Sequence, residues 1–379
     1  MRKCKPLIRS LLRMGAYQIL FMDVRDAAAC SEAVSLAKKR GFGRLSGFVN
    51  GVLRTIVREK DRLPVPDKKE FDKYLSITYS VPEWLSRLMI DQYGAQTAET
   101  MFASFLEARP LTIRTNLSVI TSEALEEELK KDGVSVERGN YLPYALTISH
   151  LNYLGKLAAF RQGKFAVQDE SSQLAVEVAD INEGDFVLDV CAAPGGKTFH
   201  AADRLHGTGK VLSRDLTEYK TDLIEENKDR MHYENVEVQQ WDALEEDESL
   251  LESVDVLLAD LPCSGLGIMG RKNDIKYQMT EEQLGELAAL QRQILSVVWK
   301  YVKPGGQMIF STCTLNKGEN AENIKWIEEN TPLHLVSIEE YLPQNLKNRT
   351  GSQGYLQLIP GEDTCDGFFI SKFKRPEAK

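Results

Sequence analysis

The chain has 379 residues, of which 42% are hydrophobic and 27% charged, and its formal net charge is −9. That composition belongs to a globular protein long enough for roughly two or three domains, and no apolar run approaches the ~18–20 residues of a membrane span. Six cysteines (4, 30, 191, 263, 313 and 365) and five scattered histidines contain no Cys-x-x-Cys pair, so neither a metal site nor a disulfide framework is expected, and free thiols point to a reducing cytoplasm.

Residues 1–60 hold thirteen Lys and Arg against four Asp and Glu, a net of +9, which leaves −18 on residues 61–379. A basic end on an acidic chain suggests a polyanion such as nucleic acid docked there; the plain alternative is a solvated helical face. The first acidic residue is Asp23, so a transit peptide is one reading of the start. The recurrence of Leu7, Ile8, Leu11, Leu12, Ile19 and Leu20 favours an amphipathic structural helix. A second stripe, Phe48, Val49, Val52, Leu53, Ile56 and Val57, predicts another helix. Residues 61–70, charged and bearing two prolines, read as a linker.

Residues 71–163 mix two patterns. "VPEWLSRLMIDQYG" and "TSEALEEELKKDG" predict helices, each closed by a Gly. "LTIRTNL", "VSVER" and "ALTISH" predict short strands, so this is a small α+β domain. From residue 164 to 379 strand-like runs ("FVLDVC", "KVLSRD", "VEVQQW", "VDVLLAD", "QMIFSTC") alternate with helical ones. That alternation predicts a parallel sheet covered on both faces, with ligands beyond the carboxyl ends of its strands. The helix over "TEEQLGELAALQRQILSVVWKYV" opens with a Thr280/Gln283 capping box.

The turn after the first of these strands ends in Gly196-Lys197-Thr198, as a nucleotide-triphosphate loop does. Such a loop needs Gly five positions before the second Gly, where Cys191 stands, so a triphosphate cradle is disfavoured. The other use of a Gly turn opening a helix is an adenosine cofactor, with an acid at the end of the next strand for ribose hydroxyls. Asp215 ends the second strand, nineteen residues after Gly196, and Asp242 ends the third, within reach of an adenine amino group. This is the pattern for S-adenosylmethionine. Asp260 and Cys263 follow the fourth strand and Cys313 the fifth. Neighbouring strand ends are about 5 Å apart, so both thiols can face one pocket. Methylating carbon 5 of a pyrimidine requires a thiolate that adds to carbon 6 and an acid near N3, a role suited to Asp260. Enzymes acting on exocyclic amines carry an aromatic where Cys263 stands. The spacing does not rank the two thiols. Cys4, Cys30 and Cys365 read as packing residues, as does the Cys191 side chain.

The segments "FAVQDESSQLAV", "VLDVCAAPGGKT", "DLPCSGLGIMGRKNDIK", "STCTLNKGENAENI" and "CDGFFISKFKR" resemble the RsmB (Sun/Fmu) family of bacterial ribosomal RNA cytosine-5 methyltransferases, within the NOL/NOP/Sun superfamily. The resemblance implies an α/β fold: a Rossmann-like seven-stranded S-adenosylmethionine-dependent methyltransferase domain (164–379), preceded by the small α+β domain and by a partial all-α NusB-like RNA-binding region (1–60) whose first half is absent. It implies a cofactor held by Cys191, Ala192, Ala193, Pro194, Gly195, Gly196, Lys197, Asp215, Asp242 and Asp260, with no metal. Cys313 would be the nucleophile, Cys263 would assist proton removal or release, and Lys197 would neighbour the target base. The implied partner is 16S rRNA at cytosine 967; the same chemistry on another rRNA or tRNA, or a non-catalytic RNA-binding assembly factor, are the alternatives. A monomer is the default. The sequence departs from the family at Leu261 (usually Ala), which is expected to alter pocket packing more than chemistry, and at Gly270 (often basic) and Asn273 (usually Pro), which are expected to loosen an RNA-facing loop.

Overall fold

A computed structural model describes residues 4–63, 66–151 and 153–378. Arg2 and Lys3 of the basic start, Pro64 of the expected linker and the terminal Lys379 lie outside these residues. The chain forms two compact units, residues 1–70 and 71–379.

The first unit is three helices, α1 (Pro6–Phe21), α2 (Asp26–Lys39) and α3 (Ser46–Glu59). Its core takes Ile8, Leu11, Leu12 and Ile19 from α1 and Val49 and Leu53 from α3, the faces that the apolar stripes predict. The third wall is a run of small side chains, Ala29, Ala33 and Ala37, one per turn of α2, which periodicity of large residues does not reveal. Helix α1 crosses closely over α3 because residue 15 is Gly: a Cβ there would lie 2.7 Å from Leu53 Cδ1. Gly15→Ala is therefore expected to cost about 1–3 kcal/mol through overpacking. An unchanged urea midpoint would mean that Leu53 simply turns aside.

The second unit opens with α4 (Phe71–Thr78), α5 (Glu83–Tyr93) and α6 (Ala95–Ser104). A small antiparallel sheet follows, built from β1 (Leu111–Thr115), β2 (Ser135–Arg138), β3 (Ala145–Ser149) and β4 (Phe165–Val167) in the order β2-β3-β1-β4. Helices α7 (Ser122–Lys131) and α8 (Ala158–Arg161) accompany it, α7 capped by the Thr121 side chain accepting from Ala124 N. The edge strand β4 comes from residues beyond 163, the expected end of the small domain.

The large sheet contains β5 (Phe186–Asp189), β6 (Lys210–Asp215), β7 (Val236–Gln240), β8 (Val254–Asp260), β9 (Val302–Thr312), β10 (His334–Leu335), β11 (Tyr355–Leu358) and β12 (Phe368–Lys374). The spatial order is β7-β6-β5-β8-β9-β12, the first five parallel and β12 antiparallel to β9. Strands β10 and β11 pair with different halves of the free edge of β12, so eight strands fill seven positions. Consecutive residues face opposite layers. Val187, Val211, Val256 and Ile309 pack with α9 (Glu170–Val178), α10 (Gly196–Arg204) and α11 (Glu218–Met231). Leu188, Leu212, Leu257, Met308 and Phe310 pack with α13 (Glu281–Val298) and α14 (Ala321–Asn330). The short α12 (Ile275–Gln278) precedes α13, whose Thr280/Gln283 capping box is present. Helix α13 stops at Val298, earlier than its apolar pattern suggests, because Val302 already belongs to β9.

Helices α4–α6 do not stay with the small sheet. Leu75, Leu85, Met89, Met101 and Phe105 form one core with Leu266, Met269 and Leu315, on the loops that carry the two thiols. Tyr93 Oη donates to Leu315 O at 2.6 Å, and Gln92 Nε2 to Asn316 Oδ1 at 3.1 Å.

Candidate active site

The turn between β5 and α10 is shaped by Gly195, whose φ of +100° is open to Gly but strained for a side chain, and whose Cβ would fall 2.3 Å from the Phe199 ring. Ala193 N donates to Asp215 Oδ2 at 2.9 Å, so the acid ending β6 clips the turn in place. The other Asp215 oxygen accepts from Leu216 N and Lys220 Nζ, both at 2.8 Å. Asp242 lies past β7, and its carboxylate accepts from Leu244 N in its own turn. Burial pushes the Cys191 thiol far above its usual range.

Lys197 leaves the first turn of α10 and is almost wholly buried. Its ammonium donates to Asp260 Oδ2 at 2.6 Å and to Ser172 Oγ at 2.9 Å, and lies 5.0 Å from the centre of the Phe368 ring. Ser311 Oγ donates to Asp260 Oδ1 at 2.8 Å. The Asp260 carboxylate is thus held at the end of β8 by a cation on one oxygen and a hydroxyl on the other.

The two thiols meet: Cys263 Sγ and Cys313 Sγ are 3.3 Å apart, both half-buried. The Cys263 thiol is pushed up, first by its hydrogen bond to the Cys313 sulfur and then by burial. Either sulfur can be the donor in that contact. Two glycines let the loops converge. A Cβ on Gly267 would lie 2.0 Å from Gly367 O and 2.8 Å from Cys313 O, while Gly267 N donates to Cys313 O at 3.0 Å.

Several site residues escaped the sequence reading. Gln168, Asp169, Ser172 and Asp189 line, with the Gly turn, Lys197 and Asp260, a cavity of about 150 Å³. Gln168 and Asp169 sit in the segment "VQDESS", and Asp189 in the opening motif, but nothing in their spacing marks them. Gln168 Nε2 and Asp189 Oδ1 are buried without a hydrogen-bond partner among the described residues. Unpaired buried polar atoms are costly, and a polar ligand end placed in this cavity would satisfy a donor and an acceptor at once. The turn therefore fits S-adenosylmethionine, with Asp215 and Asp242 beyond the next two strands. Leu261 is buried among apolar residues. Gly270 sits tightly against Phe105 at the end of α6, 3.2 Å from a Cβ position to the ring, so the loop is packed at that point rather than loosened. Asn273 is exposed.

Burial pushes the Asp189 carboxyl up to about 7, opposed by the Thr198 hydroxyl that donates to it at 2.8 Å. The unfolded chain gives up this proton near pH 4. Between about pH 4 and 7 the folded state holds more protons, so the stability this group contributes is greatest in acid and declines as pH rises through that window. Asp189→Asn is expected to flatten the decline in urea midpoints measured across it; an unaltered slope would place its origin elsewhere.

Three family models match the chain: the 16S rRNA methyltransferase RsmB/F at residues 176–374, the NusB family at 1–58, and the ferredoxin-like domain of RsmF/B-like methyltransferases at 81–152. A probable ribosomal RNA small subunit methyltransferase B of Bacillus subtilis (strain 168) is 35% identical over 99% of this chain and 84% of its own length. The ribosomal RNA small subunit methyltransferase B of Vibrio cholerae is 30% identical over 95% of this chain and 80% of its own. The crystal structure of PH0851 superposes with a TM-score of 0.83 at 28% identity, covering 98% of this chain and 83% of that one.

Proposed function

The chain belongs to the RsmB/F family of 16S rRNA methyltransferases, and from that premise we propose that it methylates carbon 5 of a cytosine in 16S rRNA, position 967, through a covalent bond between Cys313 and carbon 6 of the base. The enzyme is S-adenosylmethionine-dependent. The cofactor supplies a methyl group made electrophilic by its sulfonium.

The rest is done by the chain. The Cys313 sulfur, in contact with that of Cys263, adds as a thiolate to carbon 6 and makes carbon 5 nucleophilic. The Lys197–Asp260 pair lies at the N3 edge of the ring, and a proton from the Lys197 ammonium, relayed through the Asp260 carboxyl to N3, neutralises the charge that builds up as carbon 6 is attacked. After transfer a base takes the carbon-5 proton and the Cys313 sulfur leaves carbon 6 as a thiolate, a step that Cys263 assists by accepting that proton or by returning one to the departing sulfur. The observation that carries this reading is the pair of sulfurs 3.3 Å apart at the ends of adjacent strands, beside the Lys197–Asp260 pair. A lone thiol would be unremarkable; two in contact beside a held carboxylate suit addition followed by elimination. The +9 first unit suits an RNA backbone. A cytosine inside a helix would have to be unstacked to reach the thiols, at a few kcal/mol, which favours an exposed loop base.

The test is labelled methyl transfer from S-adenosylmethionine to 16S rRNA fragments, followed by bisulfite sequencing. One cytosine that resists conversion is the expected result. Label on an exocyclic nitrogen or a ribose would sink the carbon-5 assignment, and label only on tRNA or 23S rRNA would move the substrate.

A further inference from the structure

Glu319, in the loop that leads into α14, is fully buried, and among the described residues no Lys or Arg comes within ion-pair distance of it. A buried carboxylate without a counter-ion is expensive unless donors surround it. Here the donors come from the two thiol loops. Ser264, next to Cys263, donates its backbone N–H to Oε2 at 2.9 Å and its hydroxyl to Oε1 at 2.6 Å. From the other side Asn316 Nδ2 donates to Oε1 at 3.1 Å, and Ser264 Oγ lies 2.6 Å from Thr314 Oγ1, next to Cys313. Gln291 Nε2, from α13, reaches both Glu319 Oε2 at 3.1 Å and Pro262 O at 2.8 Å. The adjacent Asn320 completes the clamp on Cys313, accepting from Thr312 Oγ1 at 2.6 Å and donating to Thr314 O at 3.0 Å.

We propose that Glu319 is a positioning residue for the thiol pair: its carboxylate ties the loop of Cys263 to the loop of Cys313 and so holds the two sulfurs in contact. The inference rests on the thiol-addition reading above. The charged groups facing the pair are Asp260 from β8, with Lys197 ion-paired to it from α10, and Glu319. The negative charges of Glu319 and Asp260 both push the Cys263 thiol up, in addition to its bond with Cys313. Glu319 holds the loop of Cys263 by its main chain, at Ser264 N, and the loop of Cys313 by side chains, so its hold on the two loops is unequal. A pair of identical thiols is in this way given two different tasks.

The experiment uses the full chain carrying Glu319→Gln and Glu319→Asp. Iodoacetamide alkylation of each cysteine, mapped by peptide mass spectrometry between about pH 6 and 10, reads thiolate character without cofactor or RNA. In the unaltered protein Cys313 is expected to react first. In Glu319→Gln the difference between the two thiols shrinks and kcat falls roughly 10–100-fold, the usual effect of misplacing a reacting group by about an ångström. RNA KM and cofactor Kd stay within about twofold, and Glu319→Asp recovers part of kcat. Unchanged alkylation order and unchanged kcat in Glu319→Gln overturn the proposal. If that variant no longer binds the cofactor, Ser264→Ala, which removes one donor and keeps the backbone bond, is read in the same way, and no change in it overturns the proposal equally. Failure of the parent reading looks different: Cys313→Ala would remain active while alkylation still depended on Glu319.

Discussion

Cys313→Ala is expected to lower methyl transfer by at least about 10⁴-fold while cofactor affinity is unchanged. Carbon 5 of cytosine is too weak a nucleophile to take a methyl group without prior addition at carbon 6, and the hydroxyls next to Cys313 on its strand are engaged elsewhere. Thr312 is committed to Asn320, and Ser311 to Asp260. Cys263→Ala should behave differently. Addition and transfer proceed, release is slowed, and a protein–RNA adduct that survives denaturing electrophoresis accumulates. The two variants together discriminate the roles. An adduct in Cys313→Ala with a silent Cys263→Ala would exchange them, and full activity in Cys313→Ala would discard the covalent route.

The second large effect concerns stability. Arg114, in the middle of β1 in the small sheet, is fully buried and pairs with Asp203 of α10 at 3.0 Å. Asp203 also accepts from Leu117 N at 3.2 Å, and from Ser118 N at 2.9 Å and Ser118 Oγ at 2.5 Å. Arg114 Nε donates to Gln168 Oε1 at 2.9 Å, which fixes the Gln168 amide so that Nε2 is the group left unpartnered. Asp203→Ala would strand a guanidinium in the interior and is expected to destabilise the second unit by about 3–5 kcal/mol. Replacing both partners, Arg114→Met with Asp203→Leu, should restore most of that, because no buried charge then remains unpaired. The comparison is made from urea midpoints of the single and double variants. A double variant no better than the single would mean that the Ser118 and Leu117 bonds, rather than the ion pair, hold the two sheets together.

The parallel half of the large sheet was legible because short segments with an apolar centre alternate with helical ones, and β6 and β8 occupy two of them, Lys210–Asp215 around Val211 and Leu212 and Val254–Asp260 around Val256 to Ala259. The antiparallel edge was less so. The segment holding β12 was noticed as a motif, but it mixes Phe368, Phe369, Ile370 and Phe373 with two lysines and a serine, and β10 has only two residues. The residues of the turn, the thiols and Asp260 could be named in advance because Gly, Cys and a strand-terminal Asp are conspicuous. Glu319, Gln168 and Asp189 could not, since a Glu in "NKGEN" is an ordinary loop residue until tertiary packing removes it from water. Nearness in sequence groups residues 71–110 with the small sheet, and nothing local reveals that Phe105 meets Gly270 or that Tyr93 reaches Leu315.

That last contact bears on where the chain can be cut. A fragment starting at the first strand of the small sheet would look self-sufficient, having both sheets and every residue of the reacting pair. It would nonetheless bare Leu266, Met269 and Leu315, and it would release the carbonyl of Leu315 and the amide of Asn316 from their anchors on α5. A piece that keeps these anchors begins at Phe71, forty residues before the first strand, and after a nick between α6 and β1 only packing and those hydrogen bonds would hold α4–α6 against the thiol loops.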